Sequence, residues 1–151
     1  MVNSTLWQAE PKARNIVRRS VMEAAAAVST TAGELAIVLT DDSAIRQLNR
    51  EWRNKDAATN VLSFPVPAAA TGETMLLGDI VIAYETTARE AQAEGKPLRN
   101  HLAHLAVHGF LHLVGYDHET DREADAMESL EAVILSRLGV PNPYRLCAGE
   151  S

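Results

Sequence analysis

Three histidines within eleven residues have the spacing of metal ligands: His108, His112 and His118, with Gly115 between the second and the third. A four-residue step along an α-helix advances about 6 Å and keeps both side chains on one face, so the first two imidazoles can converge on one ion. Gly115 can adopt positive φ, end the helix and turn the chain so that it delivers the third imidazole. Three protein ligands with a fourth position left for water are typical of a catalytic zinc ion rather than a structural one.

The residues around these histidines favour metal binding over simple packing. In the stretch 102–114 every side chain other than histidine and glycine is apolar, which predicts a largely buried helix with a single imidazole stripe. His104 and His112 lie about 12 Å apart along such a helix and cannot share an ion. A pair of His104 and His108 would have no third ligand from a downstream loop. We therefore expect His101 and His104 on the helix surface or beside the ligands, without touching the metal.

The same ligand spacing occurs in the metzincin peptidases, whose motif is H-E-x-x-H-x-x-G-x-x-H. This chain has Gly109 at the position of the glutamate that serves those enzymes as general base toward the zinc-bound water. Without that carboxylate, peptide hydrolysis in the usual manner has no base. We expect the metal geometry to be retained and the chemistry to differ.

A second segment of the chain concentrates positive charge. Residues 46–55 hold four cations and one anion, an excess of three in a chain with a formal net charge of −6. They belong to a helix predicted to start at Thr40 or Asp41. Its apolar stripe is formed by Ile45, Leu48 and Trp52. Cations are favourable near any helix C-terminus, so charge alone leaves open whether Arg53 and Lys55 are simply solvated or bind an anion.

Together the two segments resemble the YbeY family of bacterial endoribonucleases that mature ribosomal RNA. The matching stretches are collinear and cover most of residues 40–130. They are 48–56 (LNREWRNKD), 59–65 (TNVLSFP), 77–80 (LGDI) and 108–118 (HGFLHLVGYDH), with Met127 beyond them. Two departures, Ala58 in place of a frequent proline and the alanine-rich stretch 68–70, lie outside the histidine motif.

The resemblance implies a zinc-dependent, single-strand-specific endoribonuclease that matures the 3′ end of 16S ribosomal RNA and acts in ribosome quality control. Its partners would be ribosomal RNA, the small ribosomal subunit and associated assembly proteins, in the cytoplasm. One Zn²⁺ per chain would be held by the three histidines of the motif. The resemblance also implies that Arg53 lines the active cleft, and we expect it to be a catalytic and substrate-binding residue. We expect Lys55 of the cationic segment to bind the substrate as well.

Two other functions remain open from the residues alone. One is a metzincin-like metallopeptidase, which the ligand spacing supports and Gly109 opposes. The other is a noncatalytic ribosome-binding factor whose metal only holds the fold. The attacking nucleophile of a ribonuclease, water or the substrate 2′-OH, is likewise open. No general base is distinguished among the nearby acids Asp117, Glu119 and Asp121.

The whole chain has the length of one domain, 1–151, with residues 1–10 and 140–151 expected to be peripheral. The single cysteine, Cys147, excludes an internal disulfide and fits a reducing cytosol. Neither a signal-peptide pattern nor an apolar run of membrane-spanning length is found in the sequence, so we expect no membrane association.

The predicted fold class is α+β, with a small mixed sheet of about four strands, about five helices and a metzincin-like helix carrying the histidines. The pattern predicts strands at 35–39, at 60–64 on a sheet edge, and at 76–84 in the sheet centre. Helices are predicted over 11–28, from Asp41, from 85 to Glu94, from Pro97 through the histidines, and from a capping box at Thr120 to before Gly139.

Overall fold

The computed structural model describes residues 4–28, 34–65, 76–114, 116 and 120–143. These form a single α+β domain in which five α-helices and one short 3₁₀-helix pack around a three-stranded mixed sheet. The elements in chain order are the 3₁₀-helix Thr5–Ala9, α1 (Ala13–Ala27), β1 (Glu34–Thr40), α2 (Asp42–Arg53), β2 (Val61–Pro65), β3 (Leu76–Ala83), α3 (Tyr84–Ala93), α4 (Leu98–Leu113) and α5 (Asp121–Arg137).

The predicted fold class is confirmed, but the described residues contain three strands rather than about four. Each of the three stretches with a strand pattern does form a strand. The other apolar stretches of the described chain have helical spacing and form helices, which leaves no segment there for a fourth strand.

The central strand is β3, which pairs in parallel with β1 and antiparallel with β2. Its alternate residues enter two different cores, because successive side chains of a strand point to opposite faces. Ile80 and Ile82 face one core, while Val81 and Ala83 face the other. This arrangement explains why the strand is apolar on both faces. The edge position predicted for β2 is also confirmed.

Two unequal layers of helices cover the sheet. The larger core includes side chains from α1, α4 and α5 and holds Phe110, Met127 and Ile134, each at most 1% exposed. On the opposite face α2 inserts Ile45 against Leu62 of β2. Because α4 lies inside the larger core, most of its surface is buried and only part of it can reach solvent. No helix in the described ranges is long and apolar enough to cross a membrane.

The prediction that residues 1–10 are peripheral is wrong for Trp7, which is only 2% exposed. Its indole Nε1 donates a hydrogen bond of 2.8 Å to the carbonyl of Thr40, and its ring meets Tyr84 edge-on at 5.2 Å. The 3₁₀-helix therefore closes one end of the larger core. At the other terminus Val140 packs against this core, and residues 144–151 lie outside the described part of the chain.

Side chains at the helix ends explain why the predicted boundaries hold. Asp41 caps α2 by accepting from the amide of Ala44 at 2.9 Å. Thr120 and Glu123 form the predicted capping box of α5. This box starts α5 immediately after residues 117–119, so the helix lies directly downstream of the position of His118.

Candidate metal centre and adjoining cationic surface

Helix α4 brings two of the three predicted metal ligands together. The Nε2 atoms of His108 and His112 are 3.1 Å apart, and their rings are nearly perpendicular with centroids 4.6 Å apart. Two nitrogens that each lie about 2.0–2.1 Å from a tetrahedral zinc ion are about 3.3 Å from one another. Both rings are only partly buried. The pair therefore fits two positions on one metal ion that solvent can reach.

The third predicted ligand, His118, lies outside the described residues, as do Gly115 and the acids Asp117 and Glu119. Within the described ranges no further histidine, cysteine or acid joins the pair in a metal-binding group of three. The assignment of His118 to the metal therefore stays a prediction.

The sequence patterns missed a buried carboxylate, Glu131 of α5, which lies behind the histidine pair and is 0% exposed. Its Oε2 is 2.5 Å from Nδ1 of His108, and its Oε1 is 3.2 Å from Nε2 of His104. A signal for it was present in the sequence. Glu131 follows Met127 by four residues and precedes Ile134 by three, so an acid interrupts the apolar stripe of α5.

The two other histidines of α4 are not on the helix surface. His104 contacts Glu131, and the same carboxylate also contacts His108. His101 is buried, with its Nε2 2.8 Å from a carboxylate oxygen of Glu90. Burial lowers the pKa of His101, while its hydrogen bond with Glu90 acts in the opposite direction. The predicted alternative in which His101 and His104 lie on the helix surface is wrong, because α4 is packed on most of its faces.

Gly109 marks the closest approach of α4 to the sheet. A Cβ atom at this position would lie 3.0 Å from Cγ2 of Ile80 and 3.2 Å from Oγ of Ser63. The hydroxyl of Ser63 donates to the carbonyl of Gly109 at 3.1 Å. The glycine thus has a packing role, because even the first side-chain atom of a larger residue would crowd the sheet.

Arg53 reaches the same junction from the opposite layer of the molecule. As the last residue of α2, it donates from Nη2 to the carbonyl of Ser63 at 2.8 Å, and its guanidinium carbon lies 5.6 Å from the ring centre of Phe64. Ser63 therefore accepts from Arg53 and donates to Gly109, the neighbour of His108. Through this one residue the cationic segment meets the histidine helix, although Arg53 itself remains exposed.

The remaining cations of this segment differ in their surroundings. Arg46 is paired with Asp56 at 2.7 Å. This hydrogen bond raises the pKa of Arg46 and lowers that of Asp56. Arg50 and Lys55 have exposed side chains, and the backbone amide of Lys55 donates to the carbonyl of Asn49 beyond the helix end. The positive charge of the surface is thus carried mainly by Arg50, Arg53 and Lys55.

Trp52 does not belong to the buried stripe in which it was predicted. Ile45 is buried and Leu48 partly buried, but Trp52 is 71% exposed and meets Phe64 edge-on at 6.4 Å. It lies near the C-terminus of α2 and contacts a residue of the edge strand β2. A large aromatic face is therefore presented to solvent next to Arg53.

Comparison with known proteins identifies the family to which these features belong. The family model described as "Endoribonuclease YbeY" matches residues 3–139. The chain is 56% identical to an "Endoribonuclease YbeY" of Rhodopseudomonas palustris BisA53, over 95% of this chain and 87% of that protein. It is 55% identical to a protein of the same name from Nitrobacter hamburgensis, over 95% and 80% of the two chains. The chain belongs to the YbeY endoribonuclease family.

A solved structure has a similar fold. The solution structure of TM1509 from Thermotoga maritima matches with a TM-score of 0.54, over 96% of this chain and 99% of that one. The sequence identity is 18%, so this likeness supports the fold alone.

Proposed function

We propose that this chain is a zinc-dependent endoribonuclease that cleaves single-stranded regions of ribosomal RNA. The observation that carries the proposal is the junction at Ser63, which accepts from the exposed Arg53 and donates to Gly109, the neighbour of the converging histidine pair. A nuclease needs a group that activates the phosphate and a cation that compensates its developing charge, and the junction offers a place for both.

The metal would be held by His108, His112 and His118, one ion per chain. The 3.1 Å separation of the first two Nε2 atoms supports His108 and His112 as ligands. When bound, zinc supplies Lewis-acid polarisation of the phosphate and a water molecule of lowered pKa. Both rings are only partly buried, as a centre that meets a substrate requires.

Arg53 would bind the scissile phosphate, with Lys55 contacting the RNA backbone nearby. In its described contacts, Arg53 donates from Nη2 to the carbonyl of Ser63. A guanidinium has five N–H donors in a planar fork. Anchoring by Ser63 and by the face of Phe64 holds this fork at the junction. A fixed cation stabilises charge that develops on the phosphate without having to reorganise.

The exposed ring of Trp52 supports a preference for unpaired RNA. Bases in single strands stack on aromatic side chains, whereas bases within a duplex are already stacked on one another. Trp52 lies next to Arg53 in the chain and on the same cationic surface. A base stacked there would place its phosphate near the guanidinium.

The biological setting is proposed from family membership. It comprises maturation of the 3′ end of 16S ribosomal RNA and ribosome quality control in the cytoplasm, with the small ribosomal subunit and its assembly proteins as partners. The metallopeptidase alternative is disfavoured because Gly109 supplies no carboxylate and a Cβ atom at this position would already lie 3.0 Å from Ile80. The noncatalytic alternative predicts binding of RNA without cleavage.

One experiment separates these functions. Zinc-loaded protein is incubated with a structured RNA bearing single-stranded tails and, in parallel, with casein. We expect cleavage confined to the tails, loss of cleavage with a chelator and recovery with added zinc, while casein stays intact. Chelator-sensitive digestion of casein would support the peptidase, and RNA binding without cleavage would support the noncatalytic factor.

A further inference from the structure

Glu131 is an unusual residue to find in the core of this protein. It is completely buried, and its carboxylate contacts two histidines of α4 from a different helix. Burial of a carboxylate is costly unless its oxygens accept hydrogen bonds. The two imidazoles satisfy one oxygen each, so His104, Glu131 and His108 form a chain that ends at the histidine pair.

This contact decides which nitrogen of His108 carries a proton. An ionised carboxylate only accepts hydrogen bonds, so an ionised Glu131 requires Nδ1 of His108 to be the donor across the 2.5 Å contact. In the neutral ring Nε2 is then unprotonated, and this is the atom that lies 3.1 Å from Nε2 of His112. Without the carboxylate, either tautomer of His108 would be open, and only one of them presents Nε2 to a metal.

We propose that Glu131 is the positioning residue of the metal centre. It holds His108 in the tautomer and ring orientation that binds zinc, and His104 holds the second oxygen of Glu131 in place. This inference rests on the proposed metal-binding function. Hydrogen bonds from a ligand histidine to a carboxylate raise the basicity of the ring, and loss of such a partner typically weakens metal binding by about 10–100-fold.

The direct test is the zinc affinity of Glu131→Gln, measured by competition with a chromogenic chelator. Glutamine keeps the size of the side chain and can still accept from His108, but it carries no charge. We expect zinc binding to weaken by roughly 10–100-fold. His104→Gln should weaken it less, in the same direction. The matched control is Glu128→Gln, the same change three residues earlier on α5, which should leave zinc affinity unchanged.

A second measurement needs no variant and is independent of whether Glu131→Gln folds. Nitrogen NMR shifts of the His108 ring in the zinc-free wild-type protein at neutral pH report its tautomer. We expect a protonated Nδ1 and an unprotonated Nε2. A protonated Nε2 on a neutral ring would overturn the inference, because Glu131 would then not set the tautomer.

The two proposals fail in different ways. If the wild-type protein does not bind zinc, the ligand set of the proposed function is wrong. If the wild type binds zinc and its zinc-free His108 ring is protonated at Nε2, the ligand set stands and the positioning role of Glu131 is wrong. Equal zinc binding by a folded Glu131→Gln would show that the charge of Glu131 does not strengthen the site. Thermal unfolding of the zinc-free variants distinguishes a lost fold from a lost metal site.

Discussion

At the scale of single residues, Ser63 connects the two surfaces that the sequence patterns identified separately. Its carbonyl accepts from Arg53 and its hydroxyl donates to Gly109. The spacing of the histidines and the cluster of cations were both visible in the sequence. Their meeting point was not, because it depends on which strand lies between α2 and α4. Glu131 was missed for a related reason, since its partners lie 23 and 27 residues earlier in the chain.

Replacement of Arg53 tests the phosphate-binding role. We expect Arg53→Ala to reduce cleavage of single-stranded RNA by roughly 10²-fold or more, the scale observed when one transition-state donor is removed. Arg53→Lys should recover only part of the loss, because an ammonium lacks the planar fork of a guanidinium. Cleavage rates of the zinc-loaded proteins give the result.

Arg50→Ala is the matched control, since Arg50 is an exposed cation one turn earlier on α2. It should change cleavage little. Arg53→Ala should also leave the melting temperature near that of the wild type, because its side chain is exposed. Unchanged cleavage would make Arg53 a surface charge, and a large loss of stability would make it structural.

Replacement of Trp52 tests the stacking surface. Trp52→Ala should weaken binding of a single-stranded oligonucleotide by about 1–3 kcal/mol, the range found when one stacking side chain is removed. Trp52→Phe should retain part of the affinity. Binding is measured by fluorescence anisotropy, and Met22→Ala, at a methionine that is 64% exposed on α1, serves as the control. Equal weakening by both alanine variants would argue against stacking at Trp52.

At the scale of secondary-structure elements, local signals predicted the helices and strands well. The caps at Asp41 and Thr120 and the stop after Glu94 depend on residues close in sequence, so their effects were readable. Which face of each helix is buried was harder to predict from the sequence. Trp52 matched the apolar stripe of α2, yet its ring contacts Phe64 of the edge strand β2, and among the described residues no strand lies beyond β2 to cover it.

Replacement of Gly109 tests the contact between α4 and the sheet. At an open helical site a change from glycine to alanine stabilises by about 1 kcal/mol. We expect Gly109→Ala instead to reduce the free energy of unfolding by about 1–3 kcal/mol, because the new methyl group meets Ile80 and Ser63 at 3.0 and 3.2 Å. Urea denaturation of the zinc-free protein measures the change.

A change from alanine to glycine at Ala126, an exposed position of α5, measures the helix-propensity difference between these two residues in the same protein. Ala126→Gly should lose about 1 kcal/mol. If Gly109→Ala proves stabilising by a similar amount, the helix and the sheet do not need a glycine between them.

At the scale of the whole molecule, the fold class and the order of elements followed from the sequence, whereas the burial of the N-terminal segment did not. Trp7 is a single aromatic residue in a short 3₁₀-helix, and no periodicity extends over so few residues. Its place in the core depends on a hydrogen bond to Thr40, 33 residues away. Long-range contacts of this kind determine which end of a chain is peripheral.

Stability should depend on pH through His101. Burial places its folded-state pKa below the ordinary value of 6.5, so in acid the unfolded chain binds the proton more readily than the folded one. The contribution of the neutral ring is fully present above pH 6.5 and is lost as the pH falls below it. We expect the unfolding free energy of the wild type to decline more steeply below pH 6.5 than that of His101→Gln.

This comparison is made by urea denaturation of the zinc-free proteins, so that metal release does not contribute to the pH dependence. His104→Gln provides a second variant on the same helix. Parallel pH profiles for the wild type and His101→Gln would show that His101 is not the group responsible.

The close packing at Gly109 also bears on how this chain can evolve. A single base change converts a glycine codon ending in A or G into a glutamate codon, which is the residue that the metzincin motif has at this position. The genetic distance to that motif is therefore minimal. The packing nevertheless opposes this exchange, because a side chain at this position would meet Ile80 and Ser63. We expect the exchange to reduce stability, and a mutation that gives more room at Ile80 or Ser63 would offset that loss.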